Sequence, residues 1–265
     1  MSVYYKEKPD YLRQSMQSIY DQTVPADEFV LVCDGPLTTG LNAVIDKMQK
    51  QFGSRLHVCR LLQNGGLGKA LNFGIQQCRN ELVARMDSDD ISRKDRCERQ
   101  LQVFAAHPEY SLVSGIVEEF SDSIDNVYAS RVVPESQQEI LNFAKKRNPF
   151  NHPCIMYKKS HVEAVGGYQD FFLLEDYYLW IRMLQHGLQG HNLQEPLLWM
   201  RGGSDMYKRR GGWKYVKSQQ ELFRYMAHTG FISYRQYFLQ SFIRMTGAAM
   251  PNTLREILFH TFLRK

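Results

Sequence analysis

Within its first 90 residues the chain alternates between short apolar, β-rich runs and stretches of helical spacing, and this restricts it to a layered α/β fold. Residues 1–5, 28–33, 56–62 and 81–86 read as strands. Their near-continuous apolar character suits burial on both faces. Between them, Tyr11, Leu12, Ser15, Met16, Ile19 and Tyr20 recur at helical spacing. So do Leu41, Val44, Ile45 and Met48, and, less regularly, Leu71, Phe73, Ile75 and Cys78. The expected architecture is a mostly parallel, doubly wound sheet with its ligand beyond the carboxyl ends of the strands. Each strand ends in a polar cluster: Tyr4-Tyr5-Lys6-Glu7, Asp34-Gly35-Pro36, Gln63-Asn64-Gly65-Gly66 and Asp87-Ser88-Asp89-Asp90. Four strand ends are therefore expected to converge on one rim.

Beyond this block a helix is expected over 93–107, two strands around a turn over 111–133, Pro and Gly breaks over 148–167, and a helix over 175–185. The pattern from Trp213 onward is helical, aromatic and basic. The total of 265 residues accommodates one large α/β domain or two small ones. We expect residues 1–205 to form the catalytic domain and 206–265 a helical basic extension.

Charge separates along the same boundary. The net charge is +5, yet residues 201–265 carry twelve Lys/Arg against Asp205, Glu221 and Glu256, leaving that stretch at +9 and the first 200 residues at −4. An anionic partner is expected for the tail: phospholipid, nucleic acid or a phosphate-bearing substrate. Cys33, Cys59, Cys78, Cys97 and Cys154 are odd in number and lack metal-binding spacing, which fits a reducing compartment without disulfides or zinc. No apolar h-region opens the chain, and no apolar run nears the roughly 18 residues of a membrane span, so neither secretion by a signal peptide nor integral insertion is expected.

The strongest local signal is Asp87-Ser88-Asp89-Asp90. Carboxylates this crowded repel one another unless a cation offsets them, and hard oxygen ligands of this kind suit Mg²⁺ or Mn²⁺; the alternative is a solvated turn capping the next helix. Asn64-Gly-Gly-Leu-Gly-Lys69 is neither a P-loop nor GxGxxG, since Gln63, Ala70 and Leu71 occupy positions those motifs reserve for other residues. It remains a glycine-rich turn entering a helix, where free amides and Lys69 can meet a diphosphate, or else a plain strand-to-helix connection. Asp34 can accept from a base or cap a turn, and Tyr4 can stack on a base or pack at the rim. Glu175-Asp176 opens a helix after an apolar run, either as a general base of raised pKa or as an acidic pair complementing the helix dipole. His152 before Pro153 is either a substrate contact or structural. Lys208-Arg209-Arg210-Gly211-Gly212 suits a diphosphate or lipid headgroups. Phe231, Tyr234, Phe238 and Phe242 form a stripe that is either core-facing or interfacial.

Taken in order, Met1-Ser-Val-Tyr-Tyr-Lys6, Val30-Leu-Val-Cys-Asp-Gly35, the run Asn64 to Asn72, Arg85-Met-Asp-Ser-Asp-Asp-Ile-Ser92 and Glu175-Asp176 resemble a bacterial family-2 glycosyltransferase of GT-A fold over about residues 1–200. Arg209-Arg210-Gly-Gly further resembles the branch that builds O-antigen and exopolysaccharide repeat units, including β-1,3-galactosyltransferases acting on N-acetylhexosamine-diphospho-undecaprenol. The resemblance implies that Ser2, Tyr4 and Asp34 hold uridine, with Asn64, Lys69 and Ser88 also on the donor. Asp87 would lie at the ribose or metal, Asp89 would ligate Mn²⁺ or Mg²⁺ with Asp90 as contender, and Arg209 and Arg210 would meet a diphosphate or lipid headgroup. Asp176 would be the catalytic base and Glu175 its neighbour. It also implies inverting transfer of a hexose, with galactose favoured over glucose, from a UDP-sugar to an undecaprenyl-diphosphate-linked sugar. The setting would be the cytoplasmic face of the membrane, with no nucleic acid involved. A nucleotidyltransferase and a basic nucleic-acid-binding protein are the competing readings.

Overall fold

The computed structural model describes residues 1–202 and 212–249. Three parallel strands, β1 (Ser2–Val3), β2 (Phe29–Cys33) and β3 (Leu56–Arg60), form one sheet with β2 in the middle. Every residue of β2 is buried. The period-2 geometry of a strand explains its unbroken apolar run. Phe29, Leu31 and Cys33 face a core shared with α1 (Pro9–Tyr20) and α2 (Thr39–Phe52), whereas Val30 and Val32 face Ala70 on α3 (Leu67–Gln77). Helices thus cover both faces, as the alternation requires.

The second sheet differs from the expected one. Strands β4 (Leu82–Ala84), β5 (Ile91–Ser92), β6 (Tyr110–Phe120), β7 (Val127–Arg131), β8 (Met156–Lys158) and β9 (Gln189–Arg201) form a mixed sheet of order β4-β8-β6-β9-β5, with β7 on β6. Only the β6–β9 ladder in it is parallel. The single mostly parallel sheet is therefore corrected to two sheets, one parallel and one mixed. The antiparallel pairs of the mixed sheet are β4–β8, β6–β8, β6–β7 and β5–β9, and β8 comes from the stretch that carries Pro and Gly breaks in the sequence.

Helix α4 (Arg96–Ala106) inserts Arg96 fully into the interior. Its guanidinium donates to Gln100 Oε1 at 3.0 Å and to the carbonyls of Arg85 at 2.6 Å, Ile155 at 3.3 Å and Pro153 at 3.4 Å. It joins the two chain segments that run into the candidate site. Helices α5 (Gln137–Ala144) and α6 (Lys159–Ala164) flank the largest core cluster. Through that core run Tyr177, Trp180, Ile181 and Leu184 of α7 (Glu175–Gln185). The pair α8 (Trp213–His228) and α9 (Tyr234–Ala249) follows, and Leu222, Phe223 and Met226 of α8 enter the same core. No helix among the described residues is long and apolar enough to cross a membrane.

Candidate active site

The rim expected from the sequence forms at the end of β2. Asp34 is buried, its Oδ1 accepts from the Gly65 amide at 2.7 Å, and its Oδ2 accepts from the Gly66 amide at 3.0 Å. Asn64 Nδ2 donates to the Asp34 carbonyl at 3.2 Å. Gly35 has φ of 84°, and a Cβ there would sit 2.7 Å from the Asn64 nitrogen, so only glycine admits this close approach. Asp34 thus pins the glycine-rich turn to the sheet, with lone pairs left for a further donor. Lys69 is exposed and its stem lies against Gly65. Ser2 and Tyr4 stand at the end of β1 beside it, where the Val3 carbonyl accepts from the Asp34 amide at 2.8 Å.

The acidic cluster separates into three environments. Asp87 is gripped by the buried Arg85 guanidinium, with contacts of 2.6 and 2.5 Å. Ser88 Oγ donates to Glu7 Oε2 at 2.7 Å, which brings a further carboxylate to the group. Burial, then repulsion from Asp87 and Glu7, pushes the Asp89 carboxyl up to about 7. Asp90 is buried at the end of β9, where its Oδ1 accepts from the Arg201 amide at 2.8 Å. Its Oδ2 has no hydrogen-bond partner among the described residues, and burial pushes this carboxyl well above its usual range. Arg201 completes the enclosure: its Nε donates to the Asp89 carbonyl at 3.0 Å and its guanidinium lies over Tyr11 and Phe120.

Across from this cluster, Glu175 and Asp176 occupy the first turn of α7. Leu173, just before them, has φ of 58°, a left-handed conformation unusual for a branched residue. Asp176 Oδ2 accepts from Asn148 Nδ2 at 2.7 Å and Oδ1 from the Tyr177 amide at 2.7 Å. His152 Nδ1 is 4.0 Å from Asp176 Oδ2, too far for a hydrogen bond, while its Nε2 meets the Tyr168 hydroxyl at 2.8 Å. Burial, reinforced by Arg85 and Arg131, drives this imidazole well below its usual range and leaves it neutral. Burial, then the neighbouring Asp176, pushes Glu175 up to about 7.

The two halves share a wall. A Cβ on Gly68 would lie 3.9 Å from the Cβ atoms of both Glu175 and Tyr168. One turn on, Asn72 Oδ1 accepts from the Tyr168 amide at 2.7 Å while Asn72 Nδ2 donates back to the Tyr168 carbonyl. Arg85, paired with Asp87, is also within electrostatic reach of Asp89, His152 and Glu175. A surface groove of about 570 Å³ between α4 and β9, lined in part by Arg99, His107 and His191, contains none of these residues.

Comparison with known proteins gives this arrangement its family. Residues 2–166 match the family model described as glycosyl transferase family 2. The chain belongs to that family. It is 40% identical over 262 residues to the amylovoran biosynthesis glycosyltransferase AmsE of Erwinia amylovora, covering 98% of this chain and 96% of the relative. It is 37% identical over 265 residues to the UDP-Gal:alpha-D-GlcNAc-diphosphoundecaprenol beta-1,3-galactosyltransferase of Escherichia coli, covering 100% and 95%. Among solved structures it resembles the mannosyltransferase PcManGT of Pyrobaculum calidifontis, in complex with GDP-Man and Mn²⁺, with a TM-score of 0.63 at 14% identity over 98% of this chain and 78% of that one. The shared fold is GT-A.

Within this family 2 glycosyltransferase, sequence reasoning singled out both carboxylate groups and the glycine-rich turn, and the structure brings them together around Arg85. It missed Glu7, Arg85, Asn148, Tyr168 and Arg201 as parts of the site. Arg85 and Glu7 stood inside clusters already quoted, whereas Asn148 and Arg201 carry no local signal. Arg209 and Arg210 lie outside the described residues.

The half-buried Glu175 carries a testable consequence for stability. Its folded-state pKa is raised to about 7 from 4.5, so the fold favours the protonated form. Wild-type stability therefore falls as pH rises from the unfolded value through 7, and the full cost is present above that. Glu175→Gln is expected to be more stable than wild type at pH 8, by up to about 3 kcal/mol, and equal to it below pH 4.5. Denaturant midpoints across pH measure this, and a constant difference at all pH values would contradict it.

Proposed function

We propose that this glycosyltransferase moves a hexose, galactose in preference to glucose, from a UDP-sugar to a lipid-diphosphate-linked N-acetylhexosamine, with inversion at the anomeric carbon. The product would be a growing O-antigen or exopolysaccharide repeat unit. The observation that carries this reading is the Asp176 carboxylate, held on both oxygens at the start of α7 next to Glu175, whose Cβ lies against the glycine-rich turn at Gly68. Full-length similarity to the Escherichia coli galactosyltransferase and to AmsE supports the choice of donor and acceptor.

In the proposed reaction Asp176 accepts the proton of the acceptor hydroxyl as that oxygen attacks the anomeric carbon and the bond to UDP breaks. Asn148 and the Tyr177 amide fix the carboxylate, and the neutral His152 adds no positive charge beside it. Ser2, Tyr4 and Asp34 would receive uridine, and Asn64, Lys69 and Ser88 would flank the diphosphate side. Transferases of this fold and family generally use a divalent cation. Such an ion is commonly bound by one or two carboxylates together with substrate phosphates. The donor set fits that ion: the Asp89 carboxyl is raised by burial and then by the crowding of Asp87 and Glu7, and Asp90 lies buried beside them. Asp89 with Asp87 would hold Mn²⁺ or Mg²⁺, which when bound offsets the charge of the departing diphosphate. Residues 1–205 would supply catalysis and 206–265 the contact with the anionic inner-membrane surface, with Arg209 and Arg210 on a diphosphate or headgroup. Nucleic acid has no part in this reading.

The test is UDP release from UDP-galactose and UDP-glucose, each with and without a lipid-diphosphate N-acetylhexosamine. Acceptor-dependent release with UDP-galactose is expected; release from neither donor by a folded protein would overturn the reading. Mn²⁺ binding followed by electron paramagnetic resonance is expected to weaken about tenfold or more in Asp89→Asn. Equal binding would remove Asp89 from the metal.

A further inference from the structure

Helix α9 is packed with its polarity reversed. The side turned to α8 and the body carries Gln240, Ser241 and Arg244, with Tyr237 packed against the core. Ser241 is buried and its carbonyl accepts from Gln220 Nε2 at 3.3 Å, while Arg244 lies over the Phe223 ring and donates to the Lys146 carbonyl at 2.6 Å. The opposite side presents Phe238, Leu239, Phe242, Ile243 and Met245, exposed by 49% to 67%. A helix bordered only by water shows the opposite arrangement, and a contiguous apolar face of this kind marks a surface that something else covers. Phe231, which the sequence stripe included, lies before the helix and packs against the core instead.

Charge indicates what covers the face. Helix α9 carries the exposed Arg235 and no acidic residue, and Lys214, Lys217 and Arg224 are exposed on α8 against one exposed acid, Glu221, within a stretch of net charge +9. We infer that this face is where the enzyme rests on an anionic phospholipid bilayer. The apolar side chains enter the boundary between headgroups and acyl chains, and the basic residues meet lipid phosphate. The choice of a bilayer over other occupants rests on the proposed lipid-linked acceptor.

The same two helices are fastened to the acceptor side of the site. Ser218 Oγ of α8 donates to the Phe172 carbonyl at 2.8 Å and Lys214 lies 4.0 Å from the Phe172 ring centroid, in the loop leading to Asp176. Arg244 of α9 holds Lys146, two residues before Asn148. A bilayer under α9 would therefore lie next to the loops that orient the proposed base.

The test is sedimentation of the full chain with acceptor-free vesicles of equal parts phosphatidylcholine and phosphatidylglycerol, and with phosphatidylcholine alone. Wild type is expected to bind the anionic vesicles. Phe238→Gln/Phe242→Gln is expected to lower the partition coefficient about tenfold or more, with an unchanged thermal midpoint and unchanged transfer to a water-soluble short-chain acceptor. Equal binding by the variant, or no binding by wild type, overturns the inference. So does a wild-type dimer that the substitutions dissociate, which would assign the face to a second copy. A lowered thermal midpoint without vesicle binding would assign it to the chain's own residues 250–265 and equally overturn it. Because the vesicles hold no acceptor, failure of sugar transfer is read separately from failure of binding.

Discussion

Asp176→Asn is expected to lower the turnover number by about 10²- to 10⁴-fold, the usual contribution of a positioned general base, while UDP affinity stays within about twofold. The substitution keeps the shape of the side chain and removes only its capacity to take a proton. The proposed nucleotide site is built from other elements: the end of β2, the turn at 64–66 and the acidic cluster. Pre-steady-state transfer with UDP affinity measured in parallel separates the two effects. Turnover within threefold of wild type would remove Asp176 from the role of base. A parallel loss of UDP binding would show instead that the substitution had disturbed the wall shared with Gly68.

Arg96→Leu is expected to destabilise the fold by about 3 kcal/mol, a large part of the 5–15 kcal/mol that holds a typical domain together. The guanidinium is fully buried and is satisfied by one side-chain oxygen and three backbone carbonyls. Leucine would fill part of the volume and leave those acceptors without donors. Desolvation works in the other direction, and burial already lowers the pKa of Arg96, so removing the charge returns part of the cost. Urea denaturation decides which effect is larger, and an unchanged midpoint would mean that desolvation cancels the hydrogen bonds. Two of the stranded carbonyls belong to Arg85 and Pro153, so a folded remnant is expected to lose activity as well.

The parts of the molecule that were legible in the sequence are those whose cause is local. The unbroken apolar run of β2 announces burial on both faces, and the helix over 175–185 follows from its own periodicity and acidic first turn. Strand β9 did not announce itself. It carries Glu195 and Pro196 and is held by its ladder to β6, whose register shifts three times, so pairing and not pattern makes it a strand. The acidic cluster shows the same division. Four residues at a strand end predicted a cation site, but not that Asp87 would be gripped by Arg85 or that Asp90 would be buried. The latter depends on an amide 111 positions away, at Arg201. Asn148 is equally silent, since the carboxylate that its side-chain amide meets lies 28 residues later.

Helix α3 has a consequence for how this sequence can vary. Its start is tied to Asp34 through the glycine amides, and its second turn is tied to the backbone of Tyr168 through Asn72. The nine residues from Asn64 to Asn72 therefore act as a ruler of fixed length between the carboxyl end of β2 and the loop before the acidic pair. Adding or deleting one residue would turn Asn72 by about 100° about the helix axis and break that connection, whatever side chain was inserted. Residues along the ruler can be exchanged where they touch nothing, but its length cannot drift. A stretch with no catalytic group of its own thus reads in the sequence as a motif.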